Sequence, residues 1–307
     1  MHKRLAQVVA VISAGWPIAA LAQVPTAQDT PMQFDVGLGI ERDSNVAVLE
    51  LDSSADAGDT AMRVDFAAGY DRPSNDSAFD VLAGYNFSQT LHDDYGEFDV
   101  RIHRASSTLS YDLGRTDIGA NLQYALAELD GDDFLTLTQV SPYVSQLVGR
   151  RLFLRFAYAR SEKDFPDSPG RNATADEFAA DAYVFLNGLT SYLVFGYRYD
   201  EESARDAQFD YSGPRLNLQL SRRLAAGERE LTFKAYLRFE SRDYDNVTPA
   251  IGVPRRDDRK QLETTLEIPL NMRWTATVGY KHADNGSNLP SVDFAENVWS
   301  VGFGAKL

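Results

Sequence analysis

The sequence predicts an all-β chain, folded as a closed antiparallel transmembrane β-barrel, and three observations predict it. Apolar residues recur at every second position in run after run, which is the period of a strand with two unlike faces. There are about fourteen such runs of about ten residues, the length a tilted strand needs to cross the hydrocarbon of a bilayer. The connections alternate between tight, turn-rich segments and longer polar ones, the pattern of a barrel with short periplasmic turns and long outer loops. A soluble sandwich would share the alternation, but its strands average about 5–6 residues and its loops do not sort by length.

In chain order, residues 1–22 read as a secretory signal peptide. His2, Lys3 and Arg4 supply the positive start, Leu5 to Leu21 the apolar middle, and Ala20-Leu21-Ala22 the cleavage site. Residues 23–31 then form a short periplasmic segment, and 32–307 the barrel, which places the mature chain in the outer membrane of a Gram-negative bacterium. Met32, Phe34, Val36, Leu38 and Ile40 open the alternation, opposite Gln33, Asp35 and Glu41. Met62 to Tyr70, Phe79 to Phe87, Ile118 to Leu126, Leu152 to Tyr158, Phe178 to Leu186, Leu231 to Phe239, Leu262 to Leu270 and Trp274 to Tyr280 continue it. Tight turns fall at Pro73 to Asp76, Leu113 to Thr116, Val148 to Arg150, Asn187-Gly188 and Leu270 to Arg273. Longer connections fall at Asp43 to Asp59, Leu91 to Glu97, Ser161 to Asp176, Glu201 to Gln208, Ser241 to Arg259 and Asp284 to Glu296.

Two irregularities stand out. Phe98, Val100 and Ile102 are in one phase and Ala105, Ser107, Leu109 and Tyr111 in the other, which predicts a β-bulge near Arg104. Pro142, Pro214 and Pro269 must sit at strand starts, ends or breaks in the ladder, because proline donates no backbone hydrogen bond. Tyr70, Tyr85, Tyr111, Tyr158, Trp274 and Trp299 lie toward strand ends, where an amphipathic ring suits the lipid–water boundary.

Composition removes several functions. With 45 acidic against 30 basic residues the formal net charge is -15, which excludes an electrostatic nucleic-acid binder. The absence of cysteine excludes a disulfide scaffold, a thiolate metal site and a cysteine nucleophile. After Ala22 no apolar stretch of about 18 residues occurs, so no helix spans a membrane. No cofactor and no metal is expected, and the chain reads as a non-enzyme: His103 near Ser106 fits lumen lining, and Asp130-Gly131-Asp132-Asp133 fits a solvated turn better than a calcium loop.

If the apolar parity faces lipid, the other parity lines the lumen. Arg63, Asp65, Arg101, His103, Arg155, Arg215, Lys234, Arg238, Glu240, Glu263, Glu267 and Lys281 are the candidate lining and selectivity residues. Both signs are present, so no simple ion filter is visible. Lys234, Arg238 and Arg242 form a basic row on one strand, with Arg215 before it and Glu263 and Glu267 after it. Two readings stay open: a charged ladder that selects polar or anionic solutes, and a cross-strand salt-bridge network that satisfies charges in a narrow lumen.

The chain ends inside an alternating run, Trp299, Val301, Phe303, Ala305 and Leu307. Ser300, Gly302, Ala305 and Leu307 resemble the C-terminal strand signal read by the bacterial barrel-assembly machinery, which that resemblance makes an expected partner beside outer-membrane lipid. The segment from Val36 through Glu41-Arg42-Asp43-Ser44-Asn45-Val46 is similar to the first strand and loop of bacterial β-barrel porins. Gly279-Tyr280-Lys281-His282 with Ser287-Asn288, Asp293-Phe294 and Asn297 to Leu307 resembles the last hairpin of those porins. The same hairpin, together with Tyr236-Leu237-Arg238-Phe239 and Arg242-Asp243-Tyr244, resembles the C-terminal barrel of the surface lipoprotein assembly modifier family, whose barrels are fourteen-stranded. Three roles follow as expectations: a channel or conduit for polar solutes or polymer, a barrel that translocates or assembles surface lipoproteins, and a sealed structural barrel.

Overall fold

The protein is described by a computed structural model covering residues 32–71, 77–227 and 229–307. The expected signal peptide, the segment 23–31 and the turn 73–76 lie outside the described residues.

In chain order the strands are β1 (Met32–Asp43), β2 (Ala47–Val48), β3 (Ser53–Ser54), β4 (Asp59–Asp71), β5 (Phe79–His92), β6 (Val100–Asp112), β7 (Thr116–Leu129) and β8 (Asp132–Val148). They continue as β9 (Leu152–Asp164), β10 (Ala173–Phe185), β11 (Ser191–Ala204), β12 (Tyr211–Ala226), β13 (Arg229–Thr248), β14 (Val253–Pro269), β15 (Trp274–Ser287) and β16 (Phe294–Lys306). Each barrel strand pairs with its sequence neighbour. β1 pairs antiparallel with both β4 and β16, so fourteen strands close into one barrel while β2 and β3 form a separate ribbon. Closure satisfies every edge, which lipid demands because it offers no hydrogen bonds.

The alternation has the expected consequence on the outside. Leu38, Ile40, Phe156, Phe178, Leu216, Trp299 and Phe303 are each more than half exposed. Such a band of large apolar side chains would promote aggregation in water and is what a barrel turns toward lipid. Along the β1–β16 seam two successive inward pairs are glycine, Gly37 opposite Gly304 and Gly39 opposite Gly302; a Cβ on Gly39 would lie 3.2 Å from the Val301 carbonyl oxygen.

The ladder breaks where proline forces it to. Pro142 pairs with Ala120 on β7, while toward β9 the register skips positions 141 and 142. Pro214 faces Tyr199 on β11, while toward β13 the register skips 213 and 214. Pro269 ends β14. In each interior case the missing amide faces the open side of the ladder.

No bulge occurs at Arg104, contrary to expectation: β6 keeps one register with β5 and with β7 throughout. The change of phase has another cause. Val100 and Ile102 face inward with Arg104 and Ser106, because the inside of the barrel is apolar at that height. Register shifts occur instead between Ala127 and Glu128 and between Asp243 and Val247.

Periplasmic turns are tight, and Gly114, Gly149 and Gly188 take the left-handed backbone that such turns need. On the outer side much of the polar stretch 241–259 is strand: β13 has 20 residues, about twice what a bilayer crossing takes, and meets β14 at 249–252. Asp130 (φ 51°) and Gly131 (φ 87°) make a two-residue hairpin turn, the geometry in which both central residues are left-handed. The longest outer connection, 44–58, carries β2 and β3.

Candidate functional site

The barrel encloses a cavity of about 850 Å³. Its two sides differ. Strands β4 to β8 contribute mostly small or neutral groups, among them Ala67, Gly84, Asn86, Thr108, Asn121 and Gln139. Strands β9 to β15 contribute ionised ones, because there the inward parity carries Arg, Lys, Asp and Glu.

Those ionised groups are paired. Arg198 Nη1 donates to Asp181 Oδ1 at 2.9 Å, with Glu177 3.7 Å from its Nε. Arg215 Nη2 reaches Glu177 at 2.5 Å and Asp200 at 2.9 Å. Lys163 meets Glu202, Lys234 meets Glu267 and Lys281 meets Glu296, each at 2.5 Å. Glu240, only 6% exposed, accepts from Arg238 and from Arg242, and Arg259 lies 3.8 Å away. Two arginines also lie over rings, Arg155 on Tyr143 at 4.0 Å and Arg242 on Tyr211 at 4.6 Å. The basic row read from sequence is therefore one side of a cross-strand network.

Ten of the twelve candidate lumen residues lie on the inward parity. Arg155, Arg215, Lys234, Arg238, Glu263, Glu267 and Lys281 line the cavity directly. Arg63 binds Asp65 at 3.0 Å beside the seam, and Glu240 lies behind its arginines. Arg101 and His103 do not face the lumen, and this is a correction. His103 pairs with Leu126 and Phe87 on the outward face, its Nδ1 2.8 Å from the Tyr85 hydroxyl, and Arg101 pairs with Glu128 at 2.7 Å on the same face. The reason is the continuous register of β6, which puts Val100, Ile102 and Arg104 inside. His103 is thereby removed from any lumen chemistry with Ser106, which faces inward. Among the described residues no cluster of His, Asp and Glu has the makings of a metal site.

Sequence reading passed over Arg198, Glu177, Asp200, Lys163 and Glu202, although the alternation around Phe195, Tyr197 and Tyr199 carries the signal for Arg198. It had no means of finding what closes the mouth. The connection 44–58 does not stand away from the barrel: Ala47, Val48, Leu49 and Glu50 line the cavity. Its stem is held by the β2–β3 pair and by hydrogen bonds between Ser44 and Asn297 at 3.0 and 2.8 Å. Its apolar side, Val46 and Val48, packs with Phe98, Val100, Leu129 and Phe134. That seat explains why inward positions at the top of β6 to β8 are apolar.

The tip of this lid is held by charge. Asp52 Oδ1 accepts from Arg255 Nη1 at 2.9 Å, Asp52 Oδ2 accepts from Arg171 Nη2, and Arg171 Nη1 donates to the Glu50 carbonyl at 2.9 Å. Arg171 comes from the β9–β10 connection and Arg255 from β14, so the carboxylate ties together separate parts of the rim. Both guanidiniums are preset: Arg255 is 3% exposed, forked onto Asp257 by two bonds of 2.8 Å and set over Tyr244, and Arg171 is set over Phe209. Burial pushes the Asp52 carboxyl up, and Arg255 and Arg171 more than reverse this, holding it below the ordinary aspartate value. Asp257 lies 3.5 Å from Arg259, which joins this latch to the Glu240 cluster. At the other end Phe153, Tyr183, Phe185, Tyr192 and Val194 form a buried cluster where β9 starts and β10 ends, narrowing the lumen from one side.

No family model matches the sequence, and no curated protein matches it. The likeness to the assembly modifiers is thus confined to the short segments that carry it. Solved structures do match. The chain is similar to the outer-membrane expressed OmpT of Vibrio cholerae, with a TM-score of 0.53 and 10% identity over 92% of this chain and 100% of that one. It is also similar to an anion-selective porin from Comamonas acidovorans, with a TM-score of 0.51 and 10% identity over 90% of this chain and 98% of that one. At such identities the likeness is one of fold, and by fold the chain is a closed fourteen-stranded β-barrel of the outer-membrane kind.

Proposed function

We propose that this protein is an outer-membrane channel for small polar solutes, with the ion-paired wall of β9 to β15 as its selecting surface and the lid 44–58 as its outer gate. One observation carries the reading: the interior of the barrel is left open as a cavity of about 850 Å³ edged by ionised and hydrogen-bonding side chains, where a sealed barrel would be filled by its own side chains. Because most cations on that wall meet a carboxylate, some of them sharing one as Arg238, Arg242 and Arg259 share Glu240, the wall offers strong local dipoles and little net field. Polar solutes would find hydrogen-bond partners along it, and ions of either sign would be weakly discriminated. Steric closure at the mouth and the aromatic cluster at the base both support a narrow, gated path over a wide, permanently open pore.

Planar-bilayer recording of the refolded mature protein tests this. Discrete conductance steps are expected, with Arg238→Glu shifting the reversal potential toward cations, since it replaces a cation on the cavity wall by an anion. A correctly folded barrel that passes neither ions nor small sugars would overturn the reading and leave the sealed barrel in its place.

A further inference from the structure

The strongest unexplained feature is the lid tip. Asp52 is a non-glycine residue with a left-handed backbone, φ 54°. That conformation costs on the order of 1 kcal/mol and persists only where the surroundings enforce it. Here Asp52 ends the short helical turn Leu49–Leu51, its N–H donating to the Leu49 carbonyl at 3.2 Å, and this sets its side chain so that the two oxygens each meet a different arginine. The two guanidiniums do not depend equally on it. Arg255 keeps its fork on Asp257 whether or not Asp52 is present, and retains one arm, Nη1, aimed at the mouth. Arg171 makes its polar contacts to Asp52 and to the Glu50 carbonyl, so both of those contacts belong to the lid. Lifting the tip would leave two guanidiniums, Arg255 held by its fork and Arg171 set over the Phe209 ring, without the lid's acceptors at the entrance of a polar cavity. This is the geometry of an oxyanion site, since planar forks of donors match a carboxylate or phosphate group.

We propose that Arg171 and Arg255 form an oxyanion-binding site at the outer mouth, which Asp52 fills as an internal ligand when the lid is closed and which the carboxylate or phosphate group of an arriving solute takes over when it opens. The site names the substrate class of the channel proposed above and rests on that reading. A solute that binds only the lid-open form shifts the equilibrium toward it by its own binding free energy. Only the tip need move, because the stem stays held by the β2–β3 pair, Val46 and Val48. The entering anion then meets the Arg255–Asp257–Arg259–Glu240 chain, a route from the mouth to the cavity wall.

The chain contains no cysteine, so one engineered pair reports the lid without background. Glu50→Cys and Ala207→Cys place spin labels on the exposed side chains of the tip and of the connection that carries Phe209. Their separation is read by pulsed dipolar spectroscopy on the full mature barrel, in succinate, inorganic phosphate or chloride at matched ionic strength. In chloride the short distance should predominate, with a minority of the longer one that accounts for channel openings. A longer-distance population should rise at least about three-fold in succinate, in phosphate or in both, and the two arms tell which oxyanion the site takes. In the same labelled pair Asp52→Asn keeps the size and the left-handed backbone of the aspartate while removing its charge; it should show the longer distance already in chloride and respond no further. The proposal is overturned if Asp52→Asn leaves the distance short, or if it lengthens the distance while neither oxyanion does so in the parent. A lid that responds in a barrel silent in bilayers would uphold the site and sink the channel reading, so the two failures are distinguishable.

Discussion

Glu240→Gln tests whether the lumen wall is balanced by design of its pairs. The carboxylate is 6% exposed and faces Arg238, Arg242 and Arg259, so the substitution removes one negative charge from among three positive ones while preserving size and one acceptor. A unit charge about 6 Å from an ion's path, roughly the radius of a sphere with the cavity's volume, contributes about 0.7 kcal/mol in the dielectric of water. That favours anions about three-fold and disfavours cations about as much, so the permeability ratio moves about ten-fold. The assay is the reversal potential of single channels in a potassium chloride gradient near 0.1 M, where the Debye length is about 10 Å. Near 1 M it falls to about 3 Å and the shift should collapse. Glu128→Gln, on the outward face, is the control and should leave the potential where it was. Folding is checked by the heat-dependent gel mobility of the barrel. A folded Glu240→Gln variant with unchanged ion preference at low salt would refute the idea that this wall sets selectivity.

The remaining expectations concern stability, orientation and pH. Asp181→Asn removes the close carboxylate of the buried Arg198 guanidinium and leaves it only Glu177 at 3.7 Å, and the urea midpoint should fall by the equivalent of about 3 kcal/mol, whereas breaking the exposed Lys260–Asp284 pair should leave it in place. Phe153→Ala empties the centre of the buried aromatic cluster; a loss of about 3–5 kcal/mol in the same titration is expected, and a loss near zero would mean that the cluster packs loosely. Arg101→Gln and His103→Gln should each leave conductance and ion preference unchanged, because both side chains face away from the lumen; a shift in reversal potential would contradict the register of β6. The latch has a definite acid limit. Since the Asp52 carboxyl lies below its ordinary value in the folded chain, its contribution is complete above the unfolded value and is lost only as pH falls through the lowered one. The labelled tip should therefore stay closed from neutral pH to about pH 4 and open in stronger acid, and opening at pH 5–6 would refute the assignment.

The barrel was legible because one physical rule, apolar toward lipid and polar toward water, acts on nearly every strand residue and repeats with period two. Leu38, Phe156, Phe178 and Trp299 face outward for that reason, and the parity opposite them led to Arg215, Lys234 and Arg238. What the rule could not supply was pairing. Whether Arg238 is a free cation or the partner of Glu240 depends on side-chain reach along and across the strands, which alternation does not encode.

The rule also fails in particular places, and those places share a cause. Val100 and Ile102 are apolar and inward, and so are Phe153 and Tyr183. Each lies where the lumen holds protein: the lid at one end, the aromatic cluster at the other. An apolar lumen position therefore marks a section of the barrel that is filled. The section between these ends, where Glu177, Asp181, Arg198, Arg215 and Arg238 face the cavity, keeps the polar parity. The misread phase at Arg104 was thus the trace in the sequence of the lid's seat. Arg171 and Asp52 left no such trace, because they lie in connections where no period constrains the chain, and although Arg255 keeps the alternation of β14, only the folded connections bring the three together. The apolar wall holds only the stem of the lid without them. The added ion pairs make its closure depend on charge, which is the property a channel needs if its own solute is to open it.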